Sequence, residues 1–221
     1  MPLEETWRDV IHVHQHVKKL MLQGEELDLE QYTFIQPIRE LRDALEHIIR
    51  VLAAEKGLGE DSDNDYINAN LQKALGHEYR AFFDVADWVS IEVRQKIRSL
   101  VEPFSPECLT AVVPDYYSTY RPEIEETSLS IAAIRNDKDA GNRGRILEQV
   151  ESYRQKLDRM IAIALLLQKK APALLEYKQK ERRVSLRKAV AEIAIAVVAG
   201  VILLGIGWLL GYSGCSPPST P

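Results

Sequence analysis

Eighteen consecutive residues, Ile193 to Leu210, carry no charged or strongly polar side chain. As a helix rising about 1.5 Å per residue, such a run is roughly 27 Å long, close to the hydrocarbon thickness of a bilayer. The wider segment from Ala189 to Tyr212 adds one charge, Glu192, near its beginning. The pattern predicts a transmembrane helix at 189–212, followed by a short flexible tail at 213–221. The rest of the chain is then expected to be a domain held at a membrane surface. The opening residues MPLEETWRDVIHVHQHVKK have acidic groups near their start and no apolar run long enough for a signal peptide, so the C-terminal segment is expected to bring the protein to the membrane.

Removing a span and its stalk from 221 residues leaves enough for one ordinary domain with its own core. An apolar content of 46% and a charged content of 28% argue against disorder. A net charge of −5 disfavours a nucleic-acid binder that works by bulk electrostatics. Cys108 and Cys215 fall on opposite sides of the expected span, where they cannot pair, and so few cysteines fit a reducing compartment.

No segment alternates apolar and polar residues as a half-buried strand does, and the predicted class is all-α. A helical bundle of about five helices is expected over 1–171, with a basic juxtamembrane stalk at 172–188. In the first helix Trp7, Val10, Ile11, Val17, Leu20 and Met21 fall largely on one face, and Gly24 is expected to end it. The second is expected from about Tyr32 to Lys56, burying Ile38, Leu41, Leu45, Ile48 and Leu52 and stopping at Gly57 and Gly59. Asp61, Ser62, Asp63 and Asp65 favour the start of a third helix running to Leu100, whose apolar face holds Ile67, Leu71, Ala74, Phe82, Val89, Val93 and Leu100. His77, Glu78, Asp84 and Asp87 fit its polar face. Prolines 103, 106, 114 and 122 then break the chain around a short helix at Pro106–Val112 and a tyrosine-rich stretch. A fourth helix is expected from Glu123 to Arg135, and the polar turn NDKDAGNRG precedes a fifth. Val150, Tyr153, Leu157, Met160, Ala164, Leu167, Ala171 and Leu174 alternate steps of three and four, the pattern of a coiled-coil or bundle seam that Pro172 is expected to kink.

The flank of the apolar segment sets an orientation. Between Lys169 and Lys188 there are eight basic residues and two acidic ones, and six of the basic residues, Lys178, Lys180, Arg182, Arg183, Arg187 and Lys188, lie in the stalk. By the positive-inside rule the large N-terminal domain stays in the cytoplasm and the tail lies outside; the same run attracts anionic lipid. Ala196, Gly200, Gly207 and Gly211 share one helical face, and such a stripe lets two backbones approach closely, which suggests self-association. Trp208 and Tyr212 fit interfacial anchors at the far leaflet.

Arg42, Asp43 and His47 spell R-D-x-x-x-H. This resembles the R-x4-6-H motif of HEPN ribonucleases, which are all-helical and often dimeric. The resemblance implies Arg42 and His47 as an active pair at a dimer interface, where an arginine stabilises phosphate charge and a histidine moves protons. It covers only these few residues, inside a helix where a five-residue step turns the two side chains apart. The bland reading is an exposed face on which Asp43 pairs with His47. His12 and His16 share a face at the one-turn spacing of two zinc-binding histidines, but the sequence shows no third ligand. Near-matches to calcium loops at Asp61–Gln72 and Asp137–Glu148 lack the required glycine.

The sequence therefore favours a non-enzymatic, single-pass membrane protein that presents a cytoplasmic interaction or scaffold module. Its expected associates are the bilayer, an unidentified protein partner and a second copy of itself through the fifth helix and the span. No cofactor, metal or nucleic acid is expected. The alternative is a membrane-tethered ribonuclease effector using Arg42 and His47.

Overall fold

The computed structural model describes residues 3–27, 34–58, 63–136, 143–209 and 211. These residues are all-α, with no strand among them. The helices are α1 (Leu3–Leu27), α2 (Ile35–Glu55), α3 (Asn64–Val101), α4 (Pro106–Val112), α5 (Arg121–Asn136) and α6 (Arg143–Leu209), with a π-helical turn at Tyr116–Tyr120. The chain divides into two compact units, Met1–Ala171 and Pro172–Pro221. The expected second-helix residues Tyr32 and Gly59, the helix-entry residues Asp61 and Ser62, and the turn residues Asp137, Asp139 and Asn142 lie outside the described residues. So do Leu210, Tyr212 and the tail with Cys215.

Local chemistry sets the helix ends of the first unit. The Asp63 carboxylate accepts the Tyr66 N–H at 2.6 Å and so caps α3, and the Ser105 hydroxyl accepts the Cys108 N–H at 3.1 Å at the start of α4. Gly57 ends α2 with φ +65°: its N–H donates to the Ala54 carbonyl while the Leu58 N–H reaches Ala53, a Schellman pair that needs a left-handed residue. Gly24 does not end α1, which continues to Leu27. It is buried against the Trp88 indole, so close that a Cβ there would lie 2.3 Å from a ring carbon. The glycine is a contact surface between helices.

Helix α3 is the axis of this unit. Both α1 and α2 pack along it. The first half of α6 reaches it through Tyr153, whose hydroxyl donates to Asp87 at 2.6 Å, and through Gln149, which accepts from the Tyr79 hydroxyl. Because it has neighbours on several sides, α3 buries more than one face. Leu75, Tyr79, Phe83, Val85 and Ala86 are enclosed along with the expected Ile67, Leu71, Ala74, Phe82, Val89 and Val93. Phe82, Phe83, Tyr79 and Tyr153 meet edge to face at its centre. Val10, Val13, Val17 and Leu20 are the buried stripe of α1. On α6, Val150, Tyr153, Leu157, Met160, Ala164 and Leu167 are buried, so this stretch of the seam is already covered within a single chain. Ion pairs on the rim join Lys19 of α1 to Asp158 of α6 at 3.4 Å and Arg159 of α6 to Glu123 of α5.

The packing of α2 departs from the expected pattern. Its buried residues are Pro37, Ala44, Val51 and Ala54. Ile38, Leu45 and Leu52, expected inside, are 43%, 54% and 46% exposed, while Leu41 and Ile48 are partly covered. Periodicity shows that α2 has apolar stripes but does not say which of two adjacent ones faces inward, and here it is the stripe through Ala44 and Val51, with the larger apolar residues left to one side.

In the second unit α6 is helical through Leu209 with Pro172 inside it. Among the described residues, α6 is the helix long and apolar enough to cross a membrane. Its apolar residues from Val190 to Leu209 lie open, and Trp208 is 85% exposed.

Candidate functional site

The displaced stripe of α2 and the outer face of α1 enclose a groove of about 670 Å³. Trp7 and Ile11 of α1 form one wall, and Ile38, Leu41, Leu45 and Ile48 of α2 form the other. A soluble surface seldom gathers so many large apolar side chains without a partner for them. Ile11 is 51% exposed, yet the sequence alone had put it on the same inward face as Val10.

A buried acid sits among these residues. Glu78 of α3 was expected on a polar face, but only 2% of it is exposed. Its Oε1 lies 3.0 Å from Nδ1 of His14, a hydrogen bond whose donor follows the histidine tautomer. Its Oε2 is buried with no hydrogen-bond partner. Loss of hydration pushes the Glu78 carboxyl above the usual range, against the opposing pull of His14. Glu78 lines the groove together with the polar side chains of His14, Gln15 and Arg42. Beside it, Glu40 of α2 accepts from His77 and Arg80 of α3, each at 2.9 Å. Burial alone would raise the Glu40 carboxyl, but these two donors hold it below its ordinary value.

Arg42 and His47 have different surroundings. Arg42 is exposed, lines the groove and donates to Asp43 of its own helix, with Nη2 at 2.6 Å. His47 turns toward α3, where its Nδ1 is 2.9 Å from Asn70 Oδ1 and its ring stacks on His77 at 5.4 Å. The expected surface pair of Asp43 with His47 is thus replaced by Asp43 with Arg42. The Arg42 guanidinium holds the Asp43 carboxyl below its usual value.

His12 and His16 are neighbours on α1, with ring centroids 4.6 Å apart. Burial, then the charges of His12 and Arg154, lower the His16 pKa. Glu151 of α6 comes up to the pair, so that one ligand atom from each of the three side chains lies within 4.8 Å of the others. Sequence inspection could not supply this third group, which is 135 residues beyond His16 and adjacent only through the packing of α1 on α6.

In the second unit Lys178, Lys180, Arg182, Arg183, Arg187 and Lys188 are exposed, and Lys180 pairs with Glu176 at 2.8 Å. Ala196 and Gly200 lie exposed within α6 and Gly207 is half-exposed, and a Cβ added at either glycine would meet nothing within 4 Å among the described residues. Gly211 does not continue the stripe. It lies past the end of α6 with φ +71°, and its N–H reaches the Trp208 carbonyl at 3.2 Å, so it serves as a helix-ending turn residue.

No protein-family model, curated protein or solved structure matches this chain.

Proposed function

We propose that this is a single-pass, membrane-anchored interaction module. The apolar end of α6 is the anchor, and the α1–α2 groove receives an apolar segment of a partner protein. The carrying observation is the exposure of Ile38 and Leu45 beside Trp7 and Ile11. Burying about 100 Å² of apolar surface contributes about 2.5 kcal/mol, so a helix laid along such residues gains enough to dock.

The basic excess before the span supports an orientation with the bundle in the cytoplasm and the far end of the span outside. Arg42 and His47 engage different partners, so the groove carries the proposal and that pair does not.

Photocrosslinking from Leu45 in the full chain, in native membranes, tests the reading. It expects one discrete adduct with another protein, weakened at least tenfold by Ile38→Glu or Trp7→Ala. Substitution at the exposed Leu129, on α5, serves as the control. An adduct pattern indifferent to the groove variants would overturn it, as would lipid adducts alone.

A further inference from the structure

We propose that His12, His16 and Glu151 form a binding site for a late first-row divalent transition metal, of which zinc is the natural probe. Two imidazole nitrogens and one carboxylate oxygen are a donor set suited to zinc, copper, nickel or cobalt. Calcium and magnesium prefer all-oxygen sites. His12 and His16 are one helical turn apart on α1, and Glu151 approaches them from α6. All three belong to the first compact unit.

The geometry is close to what a metal needs. Zinc bonds of about 2.0–2.1 Å in a tetrahedron place ligand atoms about 3.3 Å apart. The three groups stand within 4.8 Å of one another, a difference of the size that side-chain rotation about χ1 and χ2 spans. His12 is exposed and lies edge-on to the His16 ring, while His16 and Glu151 are half-covered.

The surroundings of Glu151 complete the argument. Its Oε1 accepts from Arg154 Nη2 at 2.6 Å and from Gln155 Nε2 at 2.9 Å, and its Oε2 accepts from Arg154 Nε at 3.0 Å. A carboxylate has about four acceptor positions, so one on Oε2 stays open. Arg154 is itself anchored on Asp158, with Nη1 at 2.5 Å, and Asp158 also holds Lys19 of α1. Outer partners of this kind orient a ligating carboxylate in metal sites. One cation coordinated here ties α1 to α6, and α1 is also a wall of the groove.

Zinc should be titrated into the untagged full chain in detergent micelles, in competition with a chromophoric chelator, with thermal unfolding followed in parallel. The proposal expects one equivalent bound, a rise in Tm, and an affinity at least tenfold lower in each of His12→Ala, His16→Ala and Glu151→Gln. His14→Gln, on the same helix but directed at Glu78, should keep the wild-type affinity. X-ray absorption at the zinc edge should show two imidazoles. His12 is exposed, so its variant stays folded and remains informative even where His16→Ala does not. Absence of stoichiometric uptake overturns the site, and so does uptake undiminished in the His12→Ala, His16→Ala double variant.

Discussion

Gly24→Ala reverses the usual rule for helices. In the interior of a helix that substitution gains up to about 1 kcal/mol, because alanine loses less backbone freedom on folding. At Gly24 the new methyl would stand 2.3, 2.7 and 2.8 Å from three carbons of the Trp88 ring. Ordinary contact begins near 3.4 Å, so α1 must lift from α3 or the indole must leave its place near Phe34, whose ring centroid is 5.9 Å away. Overpacking of this kind costs about 1–3 kcal/mol, which leaves a net loss of about 0–2 kcal/mol. Gly76→Ala in α3 is the internal reference, since its methyl would come no closer than 3.7 Å to the Arg80 guanidinium, an ordinary contact. It should gain the full propensity term. The two variants should therefore differ by about 1–3 kcal/mol, and each kcal/mol moves Tm by about 2–4 °C for a unit of this size. Near-UV circular dichroism of the full chain during heating reads the tertiary transition of the bundle. Trp88→Leu in the Gly24→Ala background should recover part of the loss. If Gly24→Ala raises Tm above wild type as far as Gly76→Ala does, the close approach of α1 to Trp88 is wrong.

Three further predictions concern the core and the span. Glu78 has its carboxyl pKa raised by burial, so its contribution to stability is fully present below the unfolded value, near pH 4.3, and is lost as pH rises through the folded value. Glu78→Gln should therefore raise Tm at neutral pH, with the two melting curves converging by about pH 3; a constant offset across that range would refute the assignment. Tyr153→Phe removes the 2.6 Å bond to Asp87 and should cost about 1–2 kcal/mol in denaturant unfolding, with little change in m-value. A Cβ at Gly200 or Gly207 meets nothing within 4 Å among the described residues, so a fall in crosslinked dimer within membranes for Gly200→Leu with Gly207→Leu reports contact with a second span, and equal monomer populations would refute self-association.

Much of the architecture was legible because it is written in short-range chemistry. The cap at Asp63, the short helix at Pro106–Val112 and the left-handed stop at Gly57 depend on residues within a turn of one another. The α6 stripe from Val150 to Leu167 was equally plain, since a helix packed along its length must repeat its apolar positions. The groove was not legible. Ile38, Leu45 and Leu52 repeat as regularly as a core stripe does, and only the packed helix shows that Pro37, Ala44, Val51 and Ala54 are buried in their place. Gly24 reads as a helix stop until Trp88, 64 positions away, is found against it.

The sequence by itself determined the helical class, the long apolar end and its basic flank, because hydropathy and charge act through composition over a local window. Tertiary structure alone decided the rest: which apolar face of α2 is left open, that Glu78 is buried beside it, and that Glu151 meets His12 and His16. Those outcomes depend on how helices rotate and approach one another, and the side chains that fix each rotation lie far apart in the chain.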